Sequence, residues 1–173
     1  MNASEALRAG ELVILPTDTV YGLCGPNTEE AARRIAELKG REAPQPIALV
    51  FADVEAAVAF APGLDRARHL LPGPFTFVLA EGGVRVPDLP PDAAAAVRAV
   101  GAVLATSANR HGETDPRRLA DVPAEIRAAC AAELDGGELP GTPSTVVDLR
   151  GAAPLVLREG AVPAAEVLAR LTA

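Results

Sequence analysis

The sequence predicts a single α/β domain, and three observations lead to that prediction. The chain has 173 residues, which suits one domain with a real hydrophobic core. Apolar residues make up 49% of it, which is a globular composition rather than a disordered one. Short apolar runs of strand length mix with helical segments, and no internal repeat is present. We therefore expect one domain over residues 1–173 in which a sheet packs against helices.

The first half of the chain contains signals for four helices and three strands. A side-chain cap at Thr28, followed by two glutamates at the positive end of the helix dipole, predicts a helix that runs to about Leu38. Strands are predicted where apolar runs are bounded by glycine or proline. The predicted helices are Ser4–Ala9, Thr28–Leu38, Asp53–Phe60 and Leu64–Leu71, and the predicted strands are Glu11–Leu15, Ile47–Phe51 and Phe75–Leu79.

The second half of the chain continues this mixture of elements. Residues 135–143 hold three glycines and two prolines, which predicts a loop, and a mobile one. The predicted helices are Asp92–Val100, Pro123–Leu134 and Pro163–Leu171, and the predicted strands are Ala102–Ala105, Ser144–Leu149 and Leu155–Arg158, the last two as a hairpin.

Charge and composition exclude several classes of function. The formal net charge is −7 and aromatic residues are only 3% of the chain, which argues against a broad surface for nucleic acid or anionic lipid. Cys24 and Cys130 lack the spacing of a metal site or a redox pair, so we expect unpaired thiols in a reducing cytosol. No apolar run approaches the ~20 residues that a membrane span needs. The first ten residues lack an apolar signal-peptide core, so we expect a cytoplasmic protein.

Familiar catalytic signatures are also missing from the sequence. It contains no Ser-His-Asp or paired-carboxylate pattern, no phosphate-binding Walker loop and no dinucleotide-binding glycine fingerprint. An enzyme with this sequence would therefore work by positioning and electrostatics, without a covalent nucleophile.

The segment Pro16–Leu23 is the most unusual stretch, because two threonines, an aspartate and the only tyrosine follow a buried strand. Pro16 is expected to end that strand, since proline cannot donate to a sheet ladder. Such a segment could be a β-turn whose side chains bond their own backbone, or it could be the wall of a binding site. The local chemistry favours neither alternative.

Three further groups of polar residues lie at the ends of predicted elements. Lys39, the only lysine, and Arg41 could stabilise a helix C-terminus or bind phosphate. Thr106–Asn109 could be a capped turn or an anion site at a strand end. Ser144 and Arg158 flank the last two strands, and Arg85 lies between apolar residues, where it faces either solvent or a polar cavity.

Seven stretches taken together resemble one protein family, the threonylcarbamoyl-AMP synthases of the YrdC/Sua5 type, in its short single-domain form. The order and spacing of the stretches match, and they cover nearly the whole chain. They are Pro16–Leu23, Lys39–Arg41, Pro72–Thr76, Val84–Pro87, Thr106–Asn109, Pro143–Val146 and Arg158–Gly160.

The resemblance implies a fold and a reaction. The fold is a twisted mixed sheet flanked by helices, with a central positively charged cavity. The reaction joins L-threonine, bicarbonate or CO₂, and ATP, assisted by Mg²⁺, into L-threonylcarbamoyladenylate and pyrophosphate. The product then supplies other proteins that modify adenosine 37 of tRNA, and a weak direct tRNA contact is possible in this family. No metal ligand comes from the protein side chains, because Mg²⁺ arrives with ATP.

The resemblance also assigns roles to residues. Lys39 and Arg41 would act electrostatically on the reacting phosphate. The residues that would bind ATP are Lys39, Arg41, Gln45, Ser107, Asn109 and Arg158, and those that would bind L-threonine are Thr19, Tyr21, Arg85, Ala105 and Ser144.

The sequence departs from the family pattern at the rim of the implied pocket. Leu89 stands where the family often has histidine, Leu71 where tryptophan is frequent, and Arg110 and His111 where leucine and serine are usual. A non-catalytic RNA-binding or ribosome-associated factor is the alternative function, although net charge and scarce aromatics count against it. A related carbamoyl-adenylate chemistry, as in hydrogenase-maturation carbamoyltransferases, is disfavoured by the missing zinc-finger and acylphosphatase segments.

Overall fold

A computed structural model describes residues 1–40 and 46–173. In this part of the chain, nine strands form one mixed sheet in the order β7-β1-β2-β6-β3-β5-β4-β8-β9. The strands are β1 (Val13–Pro16), β2 (Tyr21–Pro26), β3 (Ala48–Val50), β4 (Phe75–Leu79), β5 (Gly82–Arg85), β6 (Val103–Ser107), β7 (Ala132–Glu133), β8 (Thr145–Asp148) and β9 (Leu155–Arg158). The predicted α/β class with helices around a mixed sheet is confirmed.

Six α-helices flank this sheet in the described ranges. They are α1 (Ala3–Arg8), α2 (Glu29–Lys39), α3 (Val54–Phe60), α4 (Pro91–Arg98), α5 (Ala124–Ala129) and α6 (Ala164–Thr172), and 3-10 turns cover Pro62–Leu70 and Leu119–Asp121. The predicted cap of α2 is confirmed, because Thr28 Oγ1 accepts from the Ala31 N–H at 3.2 Å. Across residues 1–40 and 46–173, none of the helices combines the length and the apolar character that crossing a bilayer requires.

The two faces of the sheet pack into two separate hydrophobic clusters. Successive residues of β1 alternate between them: Ile14 belongs to the larger cluster, and Val13 and Leu15 belong to the smaller one. Helix α2 covers the larger cluster through Ile35, whereas α1 and α4 cover the smaller one. Fully buried apolar residues on both faces make the central strands a rigid support.

Pro16 ends β1, as the sequence predicts, but the chain then forms a second strand, β2, that was not predicted. Pro16 is the last residue of β1 and pairs with Tyr21, the first residue of β2. A proline fits there because the Tyr21 N–H donates to Pro116 O at 3.0 Å and the ladder ends at this pair. Strand β2 contains Gly25, and a larger residue would not fit there because its Cβ would come within 2.7 Å of Leu12 Cδ2. The strand therefore has glycines for close packing, a pattern that sequence reasoning takes for a loop.

Two predicted helices are also wrong in extent. The helix predicted over Pro123–Leu134 ends at Ala129, and β7 then runs parallel to β1. Backbone bonds from Ala131 N to Leu12 O (2.9 Å) and from Leu134 N to Ile14 O (3.0 Å) attach this segment to the sheet edge. Tertiary pairing therefore outweighs a helical pattern here. The helix predicted over Leu64–Leu71 is the 3-10 segment Pro62–Leu70.

Candidate functional site

A cavity of about 710 Å³ lies against six neighbouring strands, β6 through β9 in the sheet order. Strand alternation creates its wall: Phe75 and Phe77 of β4 point into the core, while Thr76 and Val78 line the cavity. The polar and charged residues of the described lining are Thr19, Thr76, Arg85, Thr106, Ser107, Asp115, Ser144, Arg150 and Arg158.

The charge of this lining is mainly positive. Among the described lining residues, Arg85, Arg150 and Arg158 are basic and Asp115 is the one acid. No Phe, Tyr or Trp belongs to that described lining. The cavity can thus attract a small anion inside an acidic protein, but it offers no aromatic surface on which a base could stack.

Lys39 lies directly behind the cavity wall. It is 2% exposed, and its Nζ donates to Ser107 O at 2.7 Å, to Ser107 Oγ at 3.3 Å and to Asn109 Oδ1 at 2.5 Å. The backbone of His111 donates to Lys39 O at 2.9 Å. The C-terminus of α2 and the end of β6, which are far apart in the sequence, therefore meet at the Lys39 ammonium group. We call Lys39, Ser107 and Asn109 the lysine cluster.

Asn109 ties the lysine cluster to the next loop. Its Oδ1 accepts from Ser107 Oγ at 2.7 Å, and its Nδ2 donates to Glu113 O at 2.8 Å and to Asp115 Oδ1 at 2.9 Å. Asn109 is 4% exposed and is not among the residues that line the cavity. Its side chain holds Lys39 and Ser107 in place, and Asp115 is the member of this loop that reaches the cavity.

Arg85, at the end of β5, lies over the turn between β1 and β2. Its Nη2 is 3.5 Å from Asp18 Oδ1 and 3.3 Å from Thr19 Oγ1, and both charged side chains are 13% exposed. Thr19 itself is fully buried. We call Thr17, Asp18 and Thr19 the arginine seat, because Asp18 and Thr19 contact the guanidinium and Thr17 Oγ1 contacts Thr19 Oγ1.

Burial shifts the ionisation of both members of this ion pair. It lowers the pKa of the Arg85 guanidinium, and Asp18 opposes that shift. It raises the pKa of the Asp18 carboxyl, although the Asp88 backbone N–H and Arg85 counteract the rise. Each charge is thus costly to bury and depends on the other for its stabilisation.

Ser144 and Arg158 meet in the cavity wall at what we call the serine edge (Thr76, Ser144 and Arg158). Ser144 Oγ lies 2.7 Å from Thr76 Oγ1, and Arg158 Nη2 donates to Ser144 O at 2.8 Å. Gly160 makes this approach possible, because a Cβ there would lie 2.2 Å from Pro143 O. Thr145 Oγ1 also accepts from the Gly160 N–H at 3.1 Å, which fixes the turn after β9.

Tyr21 does not line the cavity. The side chain is fully buried, and its hydroxyl lies 2.7 Å from Gly137 O while accepting from the Gly136 N–H at 2.9 Å. Burial raises the pKa of this hydroxyl. The loop predicted to be mobile is therefore attached at Tyr21, and again where the Gly141 N–H donates to Thr19 O at 2.8 Å.

The structure brings most of the predicted site residues to one cavity. Those in its wall are Thr19, Arg85, Ala105, Ser107, Ser144 and Arg158, with Lys39 and Asn109 directly behind Ser107. The predicted ATP contacts Arg41 and Gln45 lie outside the described residues. Each ligand role stays a prediction, because the structure fixes where these side chains lie and not what they bind.

Three polar or charged residues of the cavity wall were missed by the sequence reasoning: Thr76, Asp115 and Arg150. The alternation Phe75-Thr76-Phe77 could have identified Thr76, because it puts one hydroxyl on the face opposite two phenyl rings. Asp115 and Arg150 lie in irregular segments, where no periodic signal shows the direction of a side chain. Two of the pocket-rim departures, Leu71 and Leu89, pack against the hydrophobic clusters instead.

Comparison with known proteins was decisive for the family. Residues 5–160 match the sequence model of the Sua5/YciO/YrdC family, which bears the description "Telomere recombination". The chain belongs to the Sua5/YciO/YrdC family. Threonylcarbamoyl-AMP synthase of Pyrococcus abyssi is 33% identical over 187 residues, a match that covers 95% of this chain and 55% of that protein. The synthase of Chromohalobacter salexigens is 34% identical and covers 86% of this chain and 91% of that one.

Solved structures of Sua5/YciO/YrdC proteins agree with this fold. The crystal structure of Pyrococcus abyssi Sua5 complexed with L-threonine superposes with a TM-score of 0.85 at 32% identity, over 95% of this chain and 55% of that one. Escherichia coli YciO superposes with a TM-score of 0.79 at 26% identity, over 96% and 90%. The chain spans about half the length of the Pyrococcus abyssi and Bacillus subtilis relatives that it matches.

Proposed function

We propose that this protein is a threonylcarbamoyl-AMP synthase. The observation that carries the proposal is the likeness to the Pyrococcus abyssi enzyme along 95% of this chain, together with a TM-score of 0.85 to a relative complexed with L-threonine. The cavity supports it, because hydroxyl groups and arginines surround a space of the size that binds a nucleotide or an amino acid, and both of these ligands carry anionic groups. The absence of aromatic side chains from its described lining counts against the RNA-binding alternative.

The amino-acid end of the proposed site is the wall around Arg85 and Ser144. A buried guanidinium suits a carboxylate, since a charge-assisted hydrogen bond in a shielded site is stronger than one in water. Ala105, on the central strand β6, supplies a small side chain and backbone beside it. Together with Thr19, these residues are proposed to bind L-threonine, and Tyr21 acts from behind through the loop at residues 135–141.

The phosphate end of the proposed site is the lysine cluster with Arg158. Ser107 lines the cavity, and the Lys39 ammonium lies 3.3 Å from its hydroxyl oxygen. Arg158 lies on the serine edge, where its guanidinium can approach a phosphate. We propose that these groups, with Asn109, Arg41 and Gln45, hold ATP and stabilise charge that develops at the α-phosphorus.

The proposed reaction uses these groups without a covalent enzyme intermediate. The neutral amine of L-threonine forms a new C–N bond with the carbon of CO₂, releasing a proton to water, or with the carbon of bicarbonate, releasing water, and either route gives a carbamate. A carbamate oxygen then attacks the α-phosphorus of ATP and breaks its bond to the bridging oxygen of the leaving pyrophosphate. Arg85 would hold the amino acid in line while the lysine cluster and Arg158 neutralise the phosphates.

Mg²⁺ and the downstream partners complete the proposal. The residues present fit a metal that is carried by the nucleotide, because Asp115 is the one carboxylate in the described cavity wall and Mg²⁺ prefers oxygen ligands, including those of phosphate. The adenylate would pass in the cytoplasm to proteins that transfer the threonylcarbamoyl group to adenosine 37 of tRNA. Any direct tRNA contact would be weak, given a net charge of −7.

Pyrophosphate release by the purified protein tests this function. We expect release from Mg²⁺-ATP only when both L-threonine and bicarbonate are present, and loss of the signal when any one of the four components is omitted. L-valine in place of L-threonine serves as the control for the amino acid. Pyrophosphate release that is indifferent to L-threonine would contradict the proposal, and tight salt-sensitive RNA binding without turnover would favour the alternative.

A further inference from the structure

The hydroxyl groups of the arginine seat form a hydrogen-bond chain with a fixed direction. Thr17 Oγ1 donates its single proton to Val20 O at 2.7 Å. The 3.1 Å contact between Thr17 Oγ1 and Thr19 Oγ1 must therefore use the proton of Thr19. Arg85 Nη2 donates to Thr19 Oγ1 at 3.3 Å. This series of hydrogen bonds thus runs from Arg85 through Thr19 and Thr17 to the carbonyl of Val20, and each hydroxyl in it donates to a single acceptor.

Asp18 contacts the same nitrogen of the guanidinium as Thr19 does. Its Oδ1 is 3.5 Å from Arg85 Nη2, and its Oδ2 accepts from the Asp88 N–H at 3.0 Å. The carboxylate therefore links the turn between β1 and β2 to the segment that follows β5. Thr17 Oγ1 accepts from the N–H groups of Thr19 and Val20 and so holds the short turn that contains Asp18. The position of the Asp18 carboxylate therefore depends on Thr17.

The donors of Arg85 are divided between the seat and the cavity. Nη2 is engaged by Asp18 and Thr19. Nε is buried and has no hydrogen-bond partner within residues 1–40 and 46–173. Arg85 belongs to the cavity wall, so a ligand can reach the part of its guanidinium that is neither buried, as Nε is, nor engaged by the seat. The arginine seat thus determines which part of the Arg85 guanidinium faces the cavity.

We propose that Thr17 and Asp18 are positioning residues that aim Arg85 at the carboxylate of the amino-acid substrate. This inference rests on the proposed function, because it assigns that carboxylate to Arg85. Neither residue needs to touch the substrate, since Thr17 is 5% exposed and the Asp18 side chain 13%. Thr19 transmits the restraint, because its hydroxyl links Thr17 to Arg85.

Steady-state kinetics of four variants test the inference. Thr17→Val removes the hydroxyl at nearly constant volume, Thr17→Ser restores it, and Asp18→Asn removes the charge at constant shape. Asp53→Asn is the matched control, because it removes a carboxylate from an exposed ion pair with Arg98. We expect Thr17→Val and Asp18→Asn to raise the KM for L-threonine about tenfold, which is the size of effect for one charge-assisted hydrogen bond. The KM for ATP should stay within about twofold, because that substrate is proposed to bind elsewhere.

Each outcome decides for or against the seat. Recovery in Thr17→Ser together with a normal Asp53→Asn supports it. A parallel rise of both KM values, or variants no different from Asp53→Asn in an active protein, would overturn this inference alone. Wild-type protein without threonine-dependent turnover would overturn the proposed function as well. Thermal unfolding is followed for each variant, and Asp18→Asn carries the test if Thr17→Val does not fold.

Discussion

Arg85 and Arg158 line the same cavity, but the protein holds them in different ways. The Arg85 side chain is 13% exposed and lies over a carboxylate and a chain of hydroxyls. Arg158 is exposed, and its recorded bonds go to the carbonyl and hydroxyl of Ser144. One arginine is fixed by its surroundings, whereas the other rests on a neutral edge from which it can move.

This difference has an energetic cause. A buried guanidinium loses its hydration and needs a paired acid, so the arginine seat is part of the fold as well as of the site. An exposed guanidinium keeps its water and gains little from a neutral partner. We infer that the buried arginine supplies selectivity for a small substrate of fixed shape, and that the exposed one adapts to the phosphates of a larger one.

The largest expected effect comes from truncating each arginine in turn. Arg85→Ala should lower the free energy of unfolding by about 3 kcal/mol, because it leaves the Asp18 carboxylate buried without its partner. Arg158→Ala is the matched comparison and should change it by less than about 1 kcal/mol, since no buried charge is left behind. Urea denaturation measures both values. Equal losses in the two variants would contradict the distinction between a fixed and an adaptable arginine.

A smaller effect on stability is expected from a substitution at Gly160, which packs closely against the backbone of Pro143 and Ser144. Gly160→Ala should destabilise the protein by about 2 kcal/mol, because the new Cβ would lie 2.2 Å from Pro143 O and 2.5 Å from Ser144 O. It should also raise the KM for both substrates, because it displaces Ser144, which is proposed to bind L-threonine, and Arg158, which is proposed to bind ATP. Gly151→Ala is the control, since the nearest heavy atom would be 3.6 Å away and the stability should hardly change. A neutral Gly160→Ala in thermal unfolding would show that the edge is not held by this contact.

The smallest effect on stability is expected at acidic pH, because the pKa values of Asp148 and Asp18 are shifted in opposite directions. A hydrogen bond from Arg150, a cavity arginine, lowers the pKa of Asp148 from 3.8 to about 2. Its contribution to stability is therefore present above about pH 4 and is lost as the pH falls through about 2. Burial raises the pKa of Asp18, so the contribution of that group falls as the pH rises through its folded value.

Urea denaturation between about pH 2 and 6 separates the two groups. Asp148→Asn should remove part of the rise of stability with pH, and Asp18→Asn should remove part of an opposing fall. Identical pH profiles for wild type and Asp148→Asn would contradict the assignment of the lowered pKa to its pair with Arg150.

The parts of the fold that the sequence could predict are those governed by local rules. The Thr28 cap, the alternating residues of β4 and the hairpin of β8 with β9 follow from side-chain chemistry and periodicity. Strand β2 could not be predicted, because Gly25 is required there by the approach of Leu12 and Ala31, which only the tertiary structure reveals. Likewise β7 exists because it pairs with β1.

The candidate site divides in the same way. Each polar motif at or beside a strand end leaves a structural role open when taken singly, and the resemblance to the family is what assigns Arg85, Ser107, Ser144 and Arg158 to one site, where the structure brings them together. Tyr21 belongs to such a motif as well, but its direction depends on a loop more than one hundred residues away, at Asp135–Gly137. A motif therefore indicates which residues gather at the site, and three-dimensional packing decides which of them face the ligand.

The proposed synthase activity is tested most directly by following the carbon of labelled bicarbonate. The purified protein is incubated with ¹³C-bicarbonate, L-threonine and Mg²⁺-ATP, and the nucleotide products are separated at once and analysed by mass spectrometry. A threonylcarbamoyl-AMP synthase should form one adenylate that contains both threonine and the labelled carbon, in step with pyrophosphate. Formation of AMP and pyrophosphate without label in a threonine-containing adenylate would contradict the proposed activity.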